Sequence, residues 1–351
     1  MCSTYSPVVG IDIGGANLKY AHSSGVTLAV DFPLWRKSDC LATQLINDLA
    51  ILPPHQMVVV TMTGELADCF LDREVGVKHI VGQTQLAAQR SGVGLQIYGV
   101  GGGWYTDQTF SDQTDRIAAA NWHALASHAS SYLPSGRTGL LIDIGSTTTD
   151  LIPIINGQVA TGARTDFDRL CEGSLVYVGG QRTPVSSIVN ELTFRNRQVP
   201  IMREVFSTMD DVRLLLGLTK ESRSCETADG KPRDLFHAAN RIARMIGLGH
   251  REVSLNDAAN LAAQVFNAAT ELIDQGIRKL FAQYDMHGVQ ERSDDGHAIN
   301  VIVSGHADDL VPKSLLESAS LLSDHLGPEQ SRCATAIALT RLWEQQVCDA
   351  S

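Results

Sequence analysis

Two stretches of this chain share one short design, and together they restrict the fold more than any other feature. Leu140–Asp150 reads Leu-Leu-Ile-Asp-Ile-Gly-Ser-Thr-Thr-Thr-Asp, and Val8–Ala21 reads Val-Val-Gly-Ile-Asp-Ile-Gly-Gly-Ala-Asn-Leu-Lys-Tyr-Ala. In each, an apolar run delivers an aspartate, Asp12 or Asp143, just ahead of a turn glycine. Glycine lets a backbone approach an oxygen anion, and the N–H groups of such a turn form a concave anion site. A single copy is no more than a strand joined to a turn. Two copies in one chain predict a duplicated phosphate-binding α/β fold.

Composition sets limits on what that fold serves. A chain of 351 residues is long enough to split into two domains. A formal net charge of −11 excludes the basic stripe of a nucleic-acid binder. It leaves room for an anionic ligand, because loops bind anions locally whatever the net charge. The seven cysteines are scattered without a Cys-x-x-Cys pair, so reduced thiols in a cytoplasmic protein are expected rather than a zinc knuckle or disulfide framework. Met1–Pro7 shows no signal-peptide pattern. No stretch approaches the ~20 apolar residues of a membrane span. The pattern says nothing about oligomeric state.

Taken in order, the chain predicts strands at Val8–Ile13, Leu18–His22 and Val26–Asp31, a helix over Cys40–Leu52, and a strand at Gln56–Met62. Glu65 then stands at a strand's C-terminal end, where α/β sheets keep their chemistry. A helical stretch is expected from Leu66, strand and turn over Val77–Thr84, helix at Leu86–Arg90, a strand at Gln96–Val100, and a hairpin through Gly101-Gly102-Gly103 into Trp104–Asp107. Asp115–Leu133 reads as one helix carrying Trp122 and His123, for which packing against the sheet is the simpler account. Pro134-Ser135-Gly136 connects to the second half, which opens with strands at Gly139–Ile144 and Asp150–Ile155 and a hairpin at Asn156-Gly157 into Gln158–Ala163. A short helix at Asp166–Glu172, a strand at Leu175–Val178 and a loop from Gly179 to Pro184 follow. Met202–Leu218 mixes strand and helix signals. Asp234–Leu248 and Leu255–Gln283 read as helices, Ile299–Val303 as a last strand, Leu315–Asp324 as an edge-covering element and Arg332–Val347 as a closing helix.

Asp12 and Asp143 at strand ends are the residue type that holds Mg²⁺ through its waters when paired across a cleft. Lys19 supplies a point charge for phosphate, and Ser146, Thr147 and Thr148 supply hydroxyls. The histidines lack His-x-x-x-His spacing, so no metal cluster is expected from them. Cys69 and Cys171 read as small buried hydrophobes rather than nucleophiles.

The turn pair resembles the phosphate motifs of the actin/sugar kinase/Hsp70 superfamily. Ile11–Lys19 is similar to the first and Ile142–Asp150 to the second, while Val301–Ala307 is a degenerate likeness of the third, adenosine-side motif. Its Ser304-Gly305-His306 replaces the usual Gly-Gly or Gly-x-Gly, a departure that counts against an adenosine site. Within the superfamily the chain most resembles the hydantoinase/oxoprolinase-related proteins linked to tetrahydromethanopterin-dependent one-carbon metabolism. The likeness rests on Thr61–Phe70, Ala120–Ala124, Tyr177–Pro184 and Thr227–Pro232. The resemblance implies a duplicated actin-like (ribonuclease H-like) fold with two lobes around a central cleft. The first lobe would span residues 1–137, completed by a C-terminal helix at 332–348, and the second 138–331.

It also implies a transferase of methanofuran-type cofactor synthesis. Such an enzyme joins an aminomethylfuran-methyl diphosphate to the phenol of γ-glutamyltyramine, or an analogue, and releases diphosphate. Under that reading Gly14, Gly15, Ala16, Asn17, Gly145, Ser146, Thr147, Thr148, Gly305 and His306 hold phosphate. Mg²⁺ bridges through Asp12 and Asp143, and Lys19 assists. Glu65 is the first candidate base and Asp166 the second. Arg164 and Arg182 pair with the diphosphate or the glutamyl carboxylates, surface ion pairing being the plain alternative. Two other readings remain open on the residues: an ATP-dependent kinase or amidohydrolase of the same superfamily, which would bind ATP, and a non-catalytic nucleotide-sensing module. The implied partners are small molecules, with neither nucleic acid nor membrane.

Overall fold

Val8–Ile13 (β1) is apolar at nearly every position and buried along its whole length, as a strand flanked on both edges requires. It pairs antiparallel with Asn17–His22 (β2), which pairs antiparallel with Thr27–Asp31 (β3). On its other edge β1 runs parallel to Met57–Met62 (β4), and β4 runs parallel to Gly94–Tyr98 (β5). Parallel neighbours need a crossover rather than a tight turn. Helices Leu41–Ile51 and Arg73–Ser91 provide it. With the short Trp104–Tyr105 strand (β6), the sheet order is β3-β2-β1-β4-β5-β6. Ile11, Ile13, Val58, Val60 and Met62 join Leu41, Leu45, Val77, Ile80 and Val81 in one apolar core. Each such side chain contributes about 1.5–3 kcal/mol when fully buried. Helix Ala334–Asp349 packs on β1, β2 and β4, and on helix Asn121–Ala129.

The structure, a computed structural model, describes residues 6–106, 109–110, 113–134, 138–286 and 300–349. Expectations that touch Met1–Tyr5, Asp107, Ser135, Gly136 or Ile299 lie outside them. The second half repeats the opening design: Gly139–Ile144 (β7), a tight turn, then Thr149–Ile155 (β8). Gln158–Val159 (β9) and Leu175–Val176 (β10) each pair antiparallel with β8. A separate hairpin joins Glu191–Phe194 (β11) to Arg197–Pro200 (β12). Asn300–Gly305 (β13) and Ser320–Leu321 (β14) complete the order β10-β8-β7-β13-β14. The long helix Leu255–Gln283 begins at a capping box, in which Ser254 Oγ accepts from the Asp257 N–H and the Asp257 carboxylate accepts from the Ser254 N–H. The chain separates into two compact units, Met1–Leu141 with Ile152–Cys171 and Leu321–Ser351, and Ile142–Leu151 with Glu172–Ser320.

Two expected elements are corrected. Val77–Thr84 is helix, not strand and turn: the helix starts only at Arg73, where the Asp72 side chain caps it by accepting from Val75 N–H at 2.8 Å. Its buried positions 77, 80, 81, 84, 87 and 88 keep the helical spacing that the β-branched residues disguise. Asp115–Leu133 is not one helix. It breaks between Thr114–Ile117 and Asn121–Ala129, with Ala119 at φ 47°, and ends in a 3₁₀ turn at Ser130–Tyr132.

Candidate active site

In the first unit the Gly14–Asn17 turn is closed by Gly14 N–H on the Asn17 carbonyl at 3.0 Å. The carbonyls of Gly15 and Ala16 accept from Leu34 and Phe32 N–H, both at 2.9 Å, which holds the turn against the following segment. Asp12 precedes it, 7% exposed, and its Oδ1 has no hydrogen-bond partner among the described residues. Burial pushes this carboxyl's pKa up, and the charge of Lys19, its cross-strand neighbour, pulls it down. A buried carboxylate oxygen short of a partner fits a hard divalent cation such as Mg²⁺, which needs few protein ligands because it keeps waters and phosphate oxygens.

Glu65 follows the same turn closely in space. A side chain added at Gly64 would stand 3.3 Å from the Gly14 carbonyl group and would overlap Leu34. The N-terminal turn of helix Arg73–Ser91 lies directly on Glu65, since a Cβ at Gly76 would overlap its carbonyl. Glu65 is 1% exposed, and its Oε2 has no partner among the described residues. Burial drives its pKa up to about 7; its own N–H opposes the shift, the Asp166 charge adds to it, and the Arg73 charge and the Ala119 N–H oppose it. Asp166 opens the short helix Asp166–Glu172, so the two candidate bases are electrostatic neighbours. Arg169, one turn further on, is buried with its guanidinium 4.3 Å over the Trp122 ring. Trp122 is 2% exposed, as expected of a packed residue, yet its Nε1 has no partner among the described residues. His123 accepts or donates at 2.8 Å with the Tyr98 hydroxyl, and burial drops its pKa to about 4, so it is neutral near pH 7.

The second unit builds its own cradle. Gly145 N–H closes the turn on the Thr148 carbonyl at 2.9 Å. The Gly179–Thr183 loop clasps it: Gly180 N–H reaches the Gly145 carbonyl at 2.9 Å, and Gln181 and Arg182 N–H reach that of Ser146 at 3.1 and 2.8 Å. Arg182 also donates to Ser146 Oγ at 3.3 Å. Gly305 lies at φ 95° against the Ile144 carbonyl, where a Cβ would overlap. The neighbouring His306 N–H donates to that same carbonyl at 3.3 Å. Arg213 ties the surrounding loops together, forking onto Asp309 at 2.8–3.1 Å and reaching the carbonyls of Gly180 at 3.2 Å and His306 at 3.0 Å.

The structure therefore brings Asp12, Lys19 and the Gly14–Asn17 turn together with Glu65 and Asp166 in one unit. It brings Gly145–Thr148, Arg182, Gly305 and His306 together in the other. Asp143 is half-buried in the second unit, and Arg164 is exposed in the first. Cys69 and Cys171 are exposed rather than buried. Arg213, Asp309 and Arg169 escaped sequence reasoning, because their partners are distant in the chain and no local spacing announces them.

The sequence matches the hydantoinase/oxoprolinase family over residues 56–339. The chain belongs to this family. Among curated proteins, the (4-{4-[2-(gamma-L-glutamylamino)ethyl]phenoxymethyl}furan-2-yl)methanamine synthase of Methanocaldococcus jannaschii is 29% identical over 346 residues, covering 97% of this chain and 98% of the relative. The protein of the same name from Methanococcus vannielii is 30% identical over 179 residues, 51% of this chain and 75% of the relative. Among solved structures, nucleotide-free acetone carboxylase matches with a TM-score of 0.54 at 9% identity, covering 95% of this chain and 69% of that one. This hydantoinase/oxoprolinase family member thus has the duplicated actin-like α/β fold. Among its described residues no helix is long and apolar enough to cross a membrane.

Proposed function

We propose that this family member is the synthase that forms the aryl ether of a methanofuran-type cofactor. It joins an aminomethylfuran-methyl diphosphate to the phenol oxygen of γ-glutamyltyramine, or a close analogue, and releases diphosphate. The observation that carries the reading is the match to the Methanocaldococcus jannaschii synthase along 97% of the chain. The product in that relative's name contains a phenoxymethylfuran, so the bond at issue links a phenol oxygen to a furan methylene.

The chemistry asks for two things: a place for the leaving diphosphate and a base for the phenol. The N–H groups of the Gly14–Asn17 turn, with Lys19, suit phosphate oxygens in the first unit. The Gly145–Thr148 turn, with Arg182, Gly305 and His306, suits them in the second, and Arg164 adds an exposed cation. Asp12 and Asp143 would each hold Mg²⁺, which when bound neutralises charge on a departing diphosphate. Stabilising charge as it develops is the largest lever such a site has on the barrier. Glu65 takes the phenolic proton. A carboxyl whose pKa lies at about 7 is half ionised near neutrality, where a general base works best. Asp166 is the second candidate for that role, and its charge helps set the first. The enzyme acts in the cytoplasm, in one-carbon metabolism linked to tetrahydromethanopterin.

The test incubates the protein with the furan diphosphate and γ-glutamyltyramine, with and without Mg²⁺, and follows ether and diphosphate by mass spectrometry. Mg²⁺-dependent formation of both in equal amounts is expected. No coupled product with Mg²⁺ present refutes the reading, and ATP turnover in its place would favour a kinase or amidohydrolase.

A further inference from the structure

The first unit holds a cavity of about 200 Å³ between helix Asn121–Ala129, helix Ala334–Asp349 and the β2–β3 hairpin turn, lined by residues of all three. It lies away from the phosphate turn. β2 leaves that turn at Asn17 and reaches the cavity at its other end, His22, roughly 17 Å along the strand. Gln330 Nε2 donates to the Gly25 carbonyl at 3.1 Å, which ties the hairpin turn to the segment entering the C-terminal helix. His22 Nδ1 accepts from Ser24 N–H at 3.0 Å and its Nε2 donates to the Pro54 carbonyl at 3.2 Å, the pattern of a neutral ring. The lining is rich in rings. Tyr132 and His325 stack with centroids 4.4 Å apart and planes at 25°. The Tyr132 hydroxyl shares a hydrogen bond of 3.2 Å with His128 Nε2. Burial, then the Arg341 charge, lower the His128 pKa to about 4, so this ring is neutral near pH 7. Arg341 is the one permanently charged side chain among the described lining residues, and none of them is Asp or Glu, in a chain whose formal net charge is −11. Its Nη1 donates to Glu344 at 3.0 Å. A guanidinium carries five N–H donors, so that one bond leaves room for a second carboxylate.

Each feature selects part of a ligand. A lone fixed cation matches a monoanion, whereas a phosphate ester, carrying about −1.5 to −2 at pH 7, would leave charge uncompensated beside Glu344. Tyrosine and imidazole rings already stacked favour a further flat ring in offset or edge-to-face contact. The volume falls below the roughly 300–1,000 Å³ of pockets that take drug-sized ligands, so the occupant is small. We propose that this cavity is a second small-molecule site, separate from the phosphate turns, and that it binds a small aromatic carboxylate. The carboxylate pairs with Arg341, and the ring lies among Tyr132, His325 and His128. Glu344 is the competitor within the chain: it engages the guanidinium that the ligand needs, and so weakens the site. The site does not depend on the reaction proposed above. A bound ligand joins the hairpin turn to two helices, and binding to the folded chain alone stabilises the first unit.

The full chain is titrated by calorimetry with phenylacetate, cyclohexylacetate and phenethylamine, which keep in turn both features, the acid alone and the ring alone. Phenylacetate should bind one to one, about 10-fold or more tighter than phenethylamine and several-fold tighter than cyclohexylacetate. Arg341→Gln should weaken phenylacetate by about 10-fold or more, and Glu344→Gln should tighten it several-fold. A damaged fold would weaken binding in both variants, so the opposite signs are specific to the site. Tyr132→Leu should narrow the preference for phenylacetate over cyclohexylacetate. Asp12→Asn and Glu65→Gln should leave the affinity unchanged. Phenylacetate that fails to bind at several millimolar, or binds no better than phenethylamine, overturns the proposal. So does an affinity indifferent to both Arg341→Gln and Glu344→Gln. Binding lost on Asp12→Asn places the ligand at the phosphate turn and overturns it as well. None of these measurements needs turnover, so a chain that forms no ether but binds phenylacetate through Arg341 rejects the proposed reaction and not this site.

Discussion

Glu65→Gln separates what Glu65 does for chemistry from what it costs the fold. In the folded chain the carboxyl's pKa rises from its ordinary value of 4.5 to about 7, chiefly through burial. A raised pKa in an acid means the native state binds the proton more tightly than the unfolded one. Its contribution to stability is therefore fully present below pH 4.5 and is lost as pH climbs through about 7. At 1.36 kcal/mol per pKa unit, that shift makes the wild type about 3 kcal/mol less stable above pH 7 than this group alone would make it in acid. Glutamine has the same shape and no charge to desolvate. The stability difference between Glu65→Gln and wild type should thus move by about 3 kcal/mol in favour of glutamine between pH 4 and pH 8. All four tryptophans (Trp35, Trp104, Trp122 and Trp343) belong to the first unit, so urea unfolding followed by their fluorescence reports on the unit that holds Glu65. Activity should move the other way: wild-type kcat rises with pH through about 7, whereas the variant is pH-flat there and about 10²–10⁴-fold slower. A stability difference that stays constant across the pH range would refute the burial argument. A variant with wild-type turnover would refute the base assignment.

Asp12→Asn should show the same opposition at the phosphate turn. It should gain stability at neutral pH, vanishing in acid because burial raises this carboxyl too, and lose the Mg²⁺ response of turnover; urea unfolding at two pH values and a Mg²⁺ titration check both. Arg213→Ala strands a largely buried Asp309 and frees the Gly180 and His306 carbonyls, so the second unit should lose about 3–5 kcal/mol by urea unfolding followed with circular dichroism. Arg213→Lys keeps the charge without the fork, and should raise KM for the diphosphate substrate more than it lowers kcat. Ala119→Gly removes the penalty of φ 47° but frees the unfolded chain, so stability should change by less than about 1 kcal/mol. Because the Ala119 N–H holds the Glu65 pKa down, loosening it in the same variant should shift the pH–kcat midpoint upward, and an unmoved midpoint refutes that contribution.

Sequence reading succeeded where one local signal decides the structure. The β1-turn-β2 and β7-turn-β8 units are apolar runs ended by glycine, and the Leu255–Gln283 helix begins at a capping box. It failed where a distant group decides. Nothing in Asp115–Leu133 forbids a continuous helix: no glycine or proline interrupts it. The break at Ala119 sets its N–H where it lowers the pKa of Glu65, more than fifty residues earlier in the chain, and local propensity carries no trace of such a partner. Val77–Thr84 failed differently, because β-branched residues masked a helical spacing that the Asp72 cap makes decisive. The placing of the candidates Asp12 and Glu65 near strand ends was legible from the apolar runs that precede them. The Arg213–Asp309 fork, whose partners stand 96 positions apart, was not.

The two units treat buried charge in different ways, and the difference bears on where the chemistry lies. In the second unit Asp211 accepts from Arg241 at 2.6 and 2.9 Å and from Ser207 at 3.1 Å, while Arg213 spends its donors on Asp309 and two carbonyls. Groups satisfied in this way stiffen loops and have little left to offer a ligand. In the first unit Asp12 Oδ1, Thr61 Oγ1, Glu65 Oε2 and Trp122 Nε1 are all buried and without partners among the described residues. Each such atom costs about 1–3 kcal/mol until something meets it. Ligands that supply those partners should raise the stability of the first unit as they bind, by more than contact area alone would give. The second unit's cradle is held in shape by ion pairs, which leaves more unmet buried hydrogen-bonding capacity among the described residues of the first unit.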